Sequence, residues 1–369
     1  MDQSQFSDIL TPTLLLDEGR CRKHIQRMAD KAQRLGLTLR PHFKTPQSAA
    51  IGAWFRDYGI EKITVSSLTM ATYFANQGWN DITVAFPVNI RELSTIQDLA
   101  ARIQLGLVVE NLDSIQYLES HLTHPVSAWI KINIGNNRTG ILPSDETQLE
   151  ALLQALHKAT QLKLEGFLGH AGQSYQARGQ EAIAQVHRES LYKMYQLIQR
   201  YQSHFPNLKV SVGDTPTCSV MDTFPGANEL RPGNFLFYDL MQWQIGSCQI
   251  DDIALVMACP VVAKNKISCE ITLYGGAIHF SKDHLLFPDG KPYYGLAVRR
   301  IEDQWKLVEP YAYIKTLSQE HGIVKANPAY WEELKIGDLA YIIPVHACLT
   351  ANLLKSYRTM GGEYLSMMH

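Results

Sequence analysis

No stretch of about 18 uncharged apolar residues occurs in the 369-residue sequence, so no segment reads as a membrane-spanning helix. Charge of one sign is also scarce. Against 34 Lys and Arg stand 36 Asp and Glu, a formal net charge of −2, which excludes the basic surface of a nucleic-acid-coating protein. The six cysteines (Cys21, Cys218, Cys248, Cys259, Cys269, Cys348) are scattered with no CxxC pair, which excludes a dense disulfide framework and fits reduced thiols. The leading residues MDQSQFSDILTPT lack the basic stretch and apolar run of a signal peptide. A cytoplasmic protein with neither nucleic-acid nor membrane partners is expected. What is present is ordinary globular composition, 46% hydrophobic and 19% charged. The length allows one large barrel domain plus a smaller one.

From Leu37 to about Asp239, short apolar runs rich in strand-forming residues alternate with longer amphipathic stretches, without a proline-rich or low-complexity linker. Eight strands are predicted, at 37–44, 62–67, 81–88, 104–111, 127–134, 163–170, 208–214 and 229–237. Helices are predicted over stretches such as 46–58, 69–78, 145–160 and 180–203, and a further one over 18–35, where Cys21, Ile25, Met28, Ala32 and Leu35 recur at helical spacing behind a capping Asp17. The count of eight favours a closed (β/α)8 TIM-type barrel over an open doubly wound sheet. After about residue 240 short runs at 253–262, 267–274, 293–300, 304–308, 313–316 and 339–343 are separated by Gly, Pro, Asn and Asp, which reads as a C-terminal β domain. The strand-like TPTLLLD (11–17) is expected to pair with it. The division predicted is a barrel over 18–240 and a β domain of 1–17 plus 241–369.

Barrel sites are built at the C-terminal ends of the strands, and the chemically capable motifs fall there. Lys44 ends the first strand in RPHFKT, beside Arg40 and His42; Asn137, Arg138 and Gly140 follow the fifth in GNNRTG; His170 ends the sixth in GFLGHAGQSY. A lysine near apolar walls and cationic neighbours is a competent amine for Schiff-base chemistry, whereas a lone loop lysine is merely solvated. Gly213 and Thr215 after strand seven, with Gly233 and Asn234 in the eighth segment, offer backbone N–H groups and a hydroxyl where barrels bind phosphate, although DTP and RPGN are also common turn sequences. Arg138 can pair with a phenolate or carboxylate, and His170 and Tyr175 can pack on or polarise a flat ring; a core-satisfied His170 is the competing reading. His279 and His321 read as structural or surface residues.

In PVHACLTAN (344–352), residues two apart on an extended strand share a face, so His346 and Cys348 can offer an imidazole and a thiolate to one metal ion. Two protein ligands leave the shell open for water or substrate, as a catalytic zinc requires. A lone HxC is nonspecific by itself.

Taken together, RPHFKT, GNNRTG, HAGQSY, GDTPT, RPGNFLFYD and PVHAC resemble the D-serine dehydratase and D-threonine aldolase family of fold-type III pyridoxal-phosphate enzymes, over nearly the whole chain. The resemblance implies an alanine-racemase-like barrel followed by a β domain, usually in a homodimer. It implies that Lys44 carries pyridoxal 5'-phosphate as a Schiff base, that Thr215, Gly233 and Asn234 contact its phosphate, and that Arg138 and Tyr175 contact its ring or substituents. His346 and Cys348 would hold the metal. His-x-Cys at this position implies zinc and a dehydratase, where the aldolases show His-x-Asp with another divalent ion; a thiolate also suits zinc by softness. Three departures border the expected substrate region: Thr45-Pro46-Gln47 after the lysine, Met70-Ala71 in place of Glu-Ala, and Val345 in place of Asn.

The reading is a lyase that takes a D-3-hydroxy amino acid such as D-serine to a 2-oxo acid and ammonia. Lys44 removes the α-proton, the pyridine ring accepts the charge and zinc assists loss of the β-hydroxyl. Retro-aldol cleavage, racemisation and non-catalytic cofactor binding are the alternatives. No second base for racemisation stands out.

Overall fold

Eight short runs dominated by Val, Ile and Leu form one parallel sheet: Thr38–Leu39, Lys62–Val65, Asp81–Pro87, Gln104–Val109, Val126–Ile132, Leu162–Gly169, Lys209–Val212 and Glu229–Leu230. This is seen in a computed structural model describing residues 6–301 and 304–368. The first strand pairs with the eighth at Thr38 and Leu39, and its continuation turns to the second, where the Phe43 N–H donates to Thr64 O at 2.8 Å and the Thr64 N–H to Pro41 O at 2.9 Å. Those bonds bring the sheet round into the expected barrel.

Helices follow the strands because their apolar residues fall on one face and their first turns are capped. Glu146–Lys158 buries Leu149, Leu152, Leu153 and Leu156, spaced three and four apart, and Asp145 accepts the Gln148 N–H at 3.1 Å. Ser67 and Asn111 cap Leu68–Asn76 and Leu112–His121 in the same way. Gly166 lies within a strand at φ +150°, where a Cβ would stand 2.0 Å from Lys209 O, so only glycine lets strands Leu162–Gly169 and Lys209–Val212 approach.

The first and eighth expected strands are much shorter than predicted. The 37–44 segment is regular only at Thr38–Leu39 before ending in a turn, and 229–237 stops at Leu230. Pro232 lacks an N–H and Gly233 favours a turn, so Gly233 lies outside the strand and Asn234 opens a 3₁₀ turn, Asn234–Leu236. This corrects their placement within strand eight.

A second, mainly antiparallel sheet runs in the order Glu270–Tyr274, His321–Lys325, Tyr313–Leu317, Gly295–Ile301, Leu339–Pro344, Leu255–Asn265, Thr13–Leu16, Ser356–Thr359 and Tyr364–Ser366, with Gln304–Leu307 added beside Gly295–Ile301, while Leu285–Leu286 and Pro292–Tyr293 pair separately. Leu255–Asn265 also pairs with Glu270–Tyr274, closing six strands into a ring. Thr13–Leu16 joins it antiparallel to Leu255–Asn265. The leading strand is hydrophobic on both sides, with Leu14, Leu15 and Leu16 buried.

By internal packing, residues up to His24 with those from Leu236 onward make one unit, and Ile25–Phe235 the other. Residues 1–5, 302–303 and 369, which belong to the expected β domain, lie outside the described residues. Among the described residues no helix is long and apolar enough to cross a membrane.

Candidate active site

Lys44 is exposed in a turn whose neighbours are rigid. Phe43, fully buried, meets Phe55, Phe74 and Trp79 with ring centroids 4.9, 4.9 and 5.0 Å away. Gln47 adopts a positive φ of 45°, donates its backbone N–H to Phe43 O and its side-chain amide to the Lys44 carbonyl at 3.0 Å. One of the three departures therefore closes the lysine turn. Gly233 packs on the same turn: a Cβ there would lie 2.9 Å from Thr45 Oγ1 and 3.2 Å from His42 Cβ. Of the other departures, Met70 and Val345 are buried side chains.

The electrostatics show which predicted residues converge. His42 is held well below the usual imidazole range, first by burial and then by the positive charges of Lys44, Arg231, His170 and Arg138. Its Nδ1 accepts the Lys44 backbone N–H at 3.4 Å. His170 is pushed down to about 3 by burial and by Lys131, Lys44 and Arg231, against a hydrogen bond to Gly213 O at 2.6 Å. Both rings are therefore neutral, and His170 donates from Nδ1 to that carbonyl. Lys131, a lone charge in the apolar run WIKINI, is buried and pushed down to about 7 by burial, Arg231 and Arg138, with Glu110 opposing.

The structure brings Gly213, Thr215, His170 and Tyr175 together at the ends of strands six and seven. The Thr215 N–H reaches Tyr175 Oη at 3.5 Å, and the His170 and Tyr175 rings are 6.4 Å apart. Asp214 caps the short helix Thr215–Val220, accepting from the Thr217 N–H at 2.8 Å, Thr217 Oγ1 at 2.7 Å and Ser174 Oγ at 2.8 Å. The buried Thr215 Oγ1 has no hydrogen-bond partner among the described residues. An unsatisfied buried hydroxyl at the end of strand seven suits an anionic oxygen, so this end fits a phosphate. Gly213 is obligatory, since a Cβ would lie 2.6–2.8 Å from the Arg231 backbone. Gly213→Ala is expected to cost about 1–3 kcal/mol by overpacking, read as a fall in thermal midpoint; an unchanged midpoint would show that the backbone yields.

Arg138 is exposed in a loop held by Asn133, whose Oδ1 accepts the Gly135 and Asn137 N–H groups at 3.1 Å, and by Glu110, which accepts the Gly140 N–H at 2.8 Å. Arg40, by contrast, is engaged inside the barrel with Asp81 and Glu229 rather than being available beside Lys44.

In the β unit, the strand Leu339–Pro344 ends before His346, which is the N-cap of the helix Ala347–Leu354. His346 and Cys348 thus do not share an extended strand; they meet because the chain turns from a β-type φ of −132° at His346 into a helix that presents Cys348 in its first turn. Burial works against charge on His346, but hydrogen bonds to Asp283 (Nδ1–Oδ2 2.6 Å) and Cys348, with the charge of Asp239, raise it to about 11. The donor set is thus one that welcomes a cation, with borderline-soft N and S ligands appropriate to zinc. Among the described residues no group of three or more His, Cys, Asp or Glu is arranged to hold a metal.

Several participating residues carry weak local signals or none. Arg231 is visible within RPGN and Asp214 within GDTPT as a capping Asp before Pro, and Lys131 as a charge in an apolar strand. Asp239 and Asp283 have no local signal.

The sequence pattern of the family described as "Alanine racemase, N-terminal domain" matches residues 16–240, and that of "Putative serine dehydratase domain" matches 254–360. The chain is 28% identical to D-threo-3-hydroxyaspartate dehydratase of Delftia sp. (strain HT23), covering 96% of this chain and 94% of that protein. The solved structure of the same enzyme has a TM-score of 0.90 at 26% identity over 98% of both chains, and a variant with one cysteine changed to alanine, described as metal-free, matches equally. D-serine dehydratase of Dictyostelium discoideum is 25% identical over 98% of this chain and 96% of its own. With its lysine, glycine and arginine motifs gathered at one end of such a barrel, the chain belongs to the alanine racemase N-terminal-domain family, here followed by a region of the putative serine dehydratase type.

Proposed function

We propose that the protein is a pyridoxal-phosphate- and zinc-dependent lyase that eliminates water from D-3-hydroxy amino acids such as D-serine, releasing a 2-oxo acid and ammonia. The observation that carries this is the gathering of His42, His170, Arg138 and Arg231 about the Lys44 turn. The dehydratases among its relatives support the reaction type. Lys44 would hold pyridoxal phosphate, which would supply an electron sink for charge developing at the substrate Cα. Thr215, Gly213, Gly233 and Asn234 would receive its phosphate, and Arg138, His170 and Tyr175 its ring and substituents. His346 and Cys348 would hold zinc, which would supply Lewis acidity for a departing hydroxyl.

Each residue then has a task set by its surroundings. The Lys44 amine, once freed from the cofactor by the incoming substrate amine, would take the α-proton. Neutral His42 and His170 offer hydrogen bonds without adding positive charge next to that amine, and Arg138, exposed at its loop, binds a carboxylate or phenolate oxygen. We infer a homodimer, which light scattering reads directly; a monomer mass overturns it.

Incubating the purified yellow protein with D- and L-3-hydroxy amino acids, with and without chelator, tests the whole reading. Pyruvate and ammonia from D-serine, lost on chelation and restored by zinc, are expected. Glycine plus an aldehyde would replace the dehydratase with a retro-aldol lyase, and chelator-insensitive turnover would remove the metal from His346 and Cys348.

A further inference from the structure

His346 stands at a helix N-cap, yet its side chain makes no capping hydrogen bond. That task is taken by Asp239, fully buried, whose Oδ2 accepts the Ala347 N–H at 2.9 Å while Oδ1 caps the helix Leu240–Ile245 through the Gln242 N–H at 2.9 Å. The imidazole thereby has no capping role. It turns instead to a carboxylate 63 positions away, with Nδ1 2.6 Å from Asp283 Oδ2. A contact this short is a charge-assisted hydrogen bond with the nitrogen as donor, and it fixes the tautomer: once Nδ1 carries the proton toward Asp283, only Nε2 has a lone pair to give. The loop bearing Asp283 is itself tied down. The Asp283 N–H donates to Ser281 Oγ at 3.2 Å, and Thr350, in the helix that follows His346, donates its hydroxyl to Phe280 O at 3.2 Å. Carboxylate, imidazole and helix are thus held as one assembly within the β unit.

We propose that Asp283 is a positioning residue for the metal, accepting the Nδ1 proton of His346 so that Nε2 is presented, correctly aimed and more basic, as the ligand beside Cys348. Two carboxylates meet this short segment and divide the work, Asp239 holding the backbone and Asp283 the ring. Carboxylate partners of this kind change metal affinity by about 10–100-fold in histidine-ligated sites. The proposal rests on the reading of His346 and Cys348 as the metal ligands, and its test separates the two.

The measurement is the zinc dissociation constant by competition with a chromogenic chelator, on the full chain, with the thermal midpoint of the metal-free protein recorded alongside. Asp283→Asn is expected to weaken zinc binding about 10–100-fold while the metal-free midpoint holds, and Asp283→Glu to restore part of the loss. His346→Ala and Cys348→Ala are expected to abolish specific binding. Should those two bind zinc as the parent does, the ligand assignment itself fails. Should they lose zinc while Asp283→Asn retains parental affinity, the orienting role alone is overturned. If Asp283→Asn lowers the metal-free midpoint, Asp283→Glu decides: a folded Glu variant whose affinity is no better than that of Asn also overturns it.

Discussion

Lys44→Ala is expected to leave a folded protein without the visible absorbance of bound cofactor, without a borohydride-reducible adduct, and without turnover. The lysine is exposed and its turn is secured by groups other than its own ammonium, namely Phe43 in its aromatic nest and the Gln47 amide on the Lys44 carbonyl, so the fold does not depend on it. Loss of a positioned proton acceptor alone removes about 10²–10⁴-fold of rate, and loss of the covalent anchor adds to that. Two measurements suffice: the spectrum before and after borohydride, and peptide mapping of the reduced adduct. A reducible adduct that persists would move the anchor, and Lys131, buried and pushed down to about 7, would be the next lysine to map.

The largest stability effect is expected at Arg40. Its Nε donates to Glu229 Oε2 at 2.6 Å and its Nη1 to Asp81 Oδ1 at 2.5 Å, all inside the barrel unit. Burial opposes its charge, and the two carboxylates more than offset that, raising its pKa above the usual arginine value. Glu229 also accepts from Ser211 Oγ at 2.6 Å, and Ser211 Oγ in turn accepts from Arg231 Nε at 2.6 Å. Arg40→Met would leave the buried Glu229 without its cation, so a loss of about 3–5 kcal/mol is expected, read as a lower urea midpoint for the barrel. A single variant within about 1 kcal/mol of the parent would mean that water reaches Glu229.

The corrections have one cause. Strands one and eight are legible as apolar runs, but their lengths are set by partners: Arg40 and His42 donate backbone N–H groups to Leu230 O and Pro232 O, after which the turn at Lys44 takes over. Arg40 reads from sequence as a neighbour of the lysine, and within the barrel it pairs instead with carboxylates 41 and 189 positions away. The His-x-Cys spacing is right about the pair meeting and wrong about why, since a helix start and not an extended strand places Cys348.

By itself the sequence determined the alternation that makes a barrel, the β-rich texture after residue 240, and the motifs at strand ends. Those signals are local, because periodicity, caps and turn residues act over a few positions. Only the tertiary structure decided which charges are spent on the scaffold and which are left for chemistry. It makes His42 and His170 neutral by enclosing them with Lys44 and Arg231, leaves Thr215 Oγ1 without a partner among the described residues, and brings Asp283 onto His346 across 63 positions. Burial and long-range charge set those properties, and neither is encoded in the spacing of neighbouring residues.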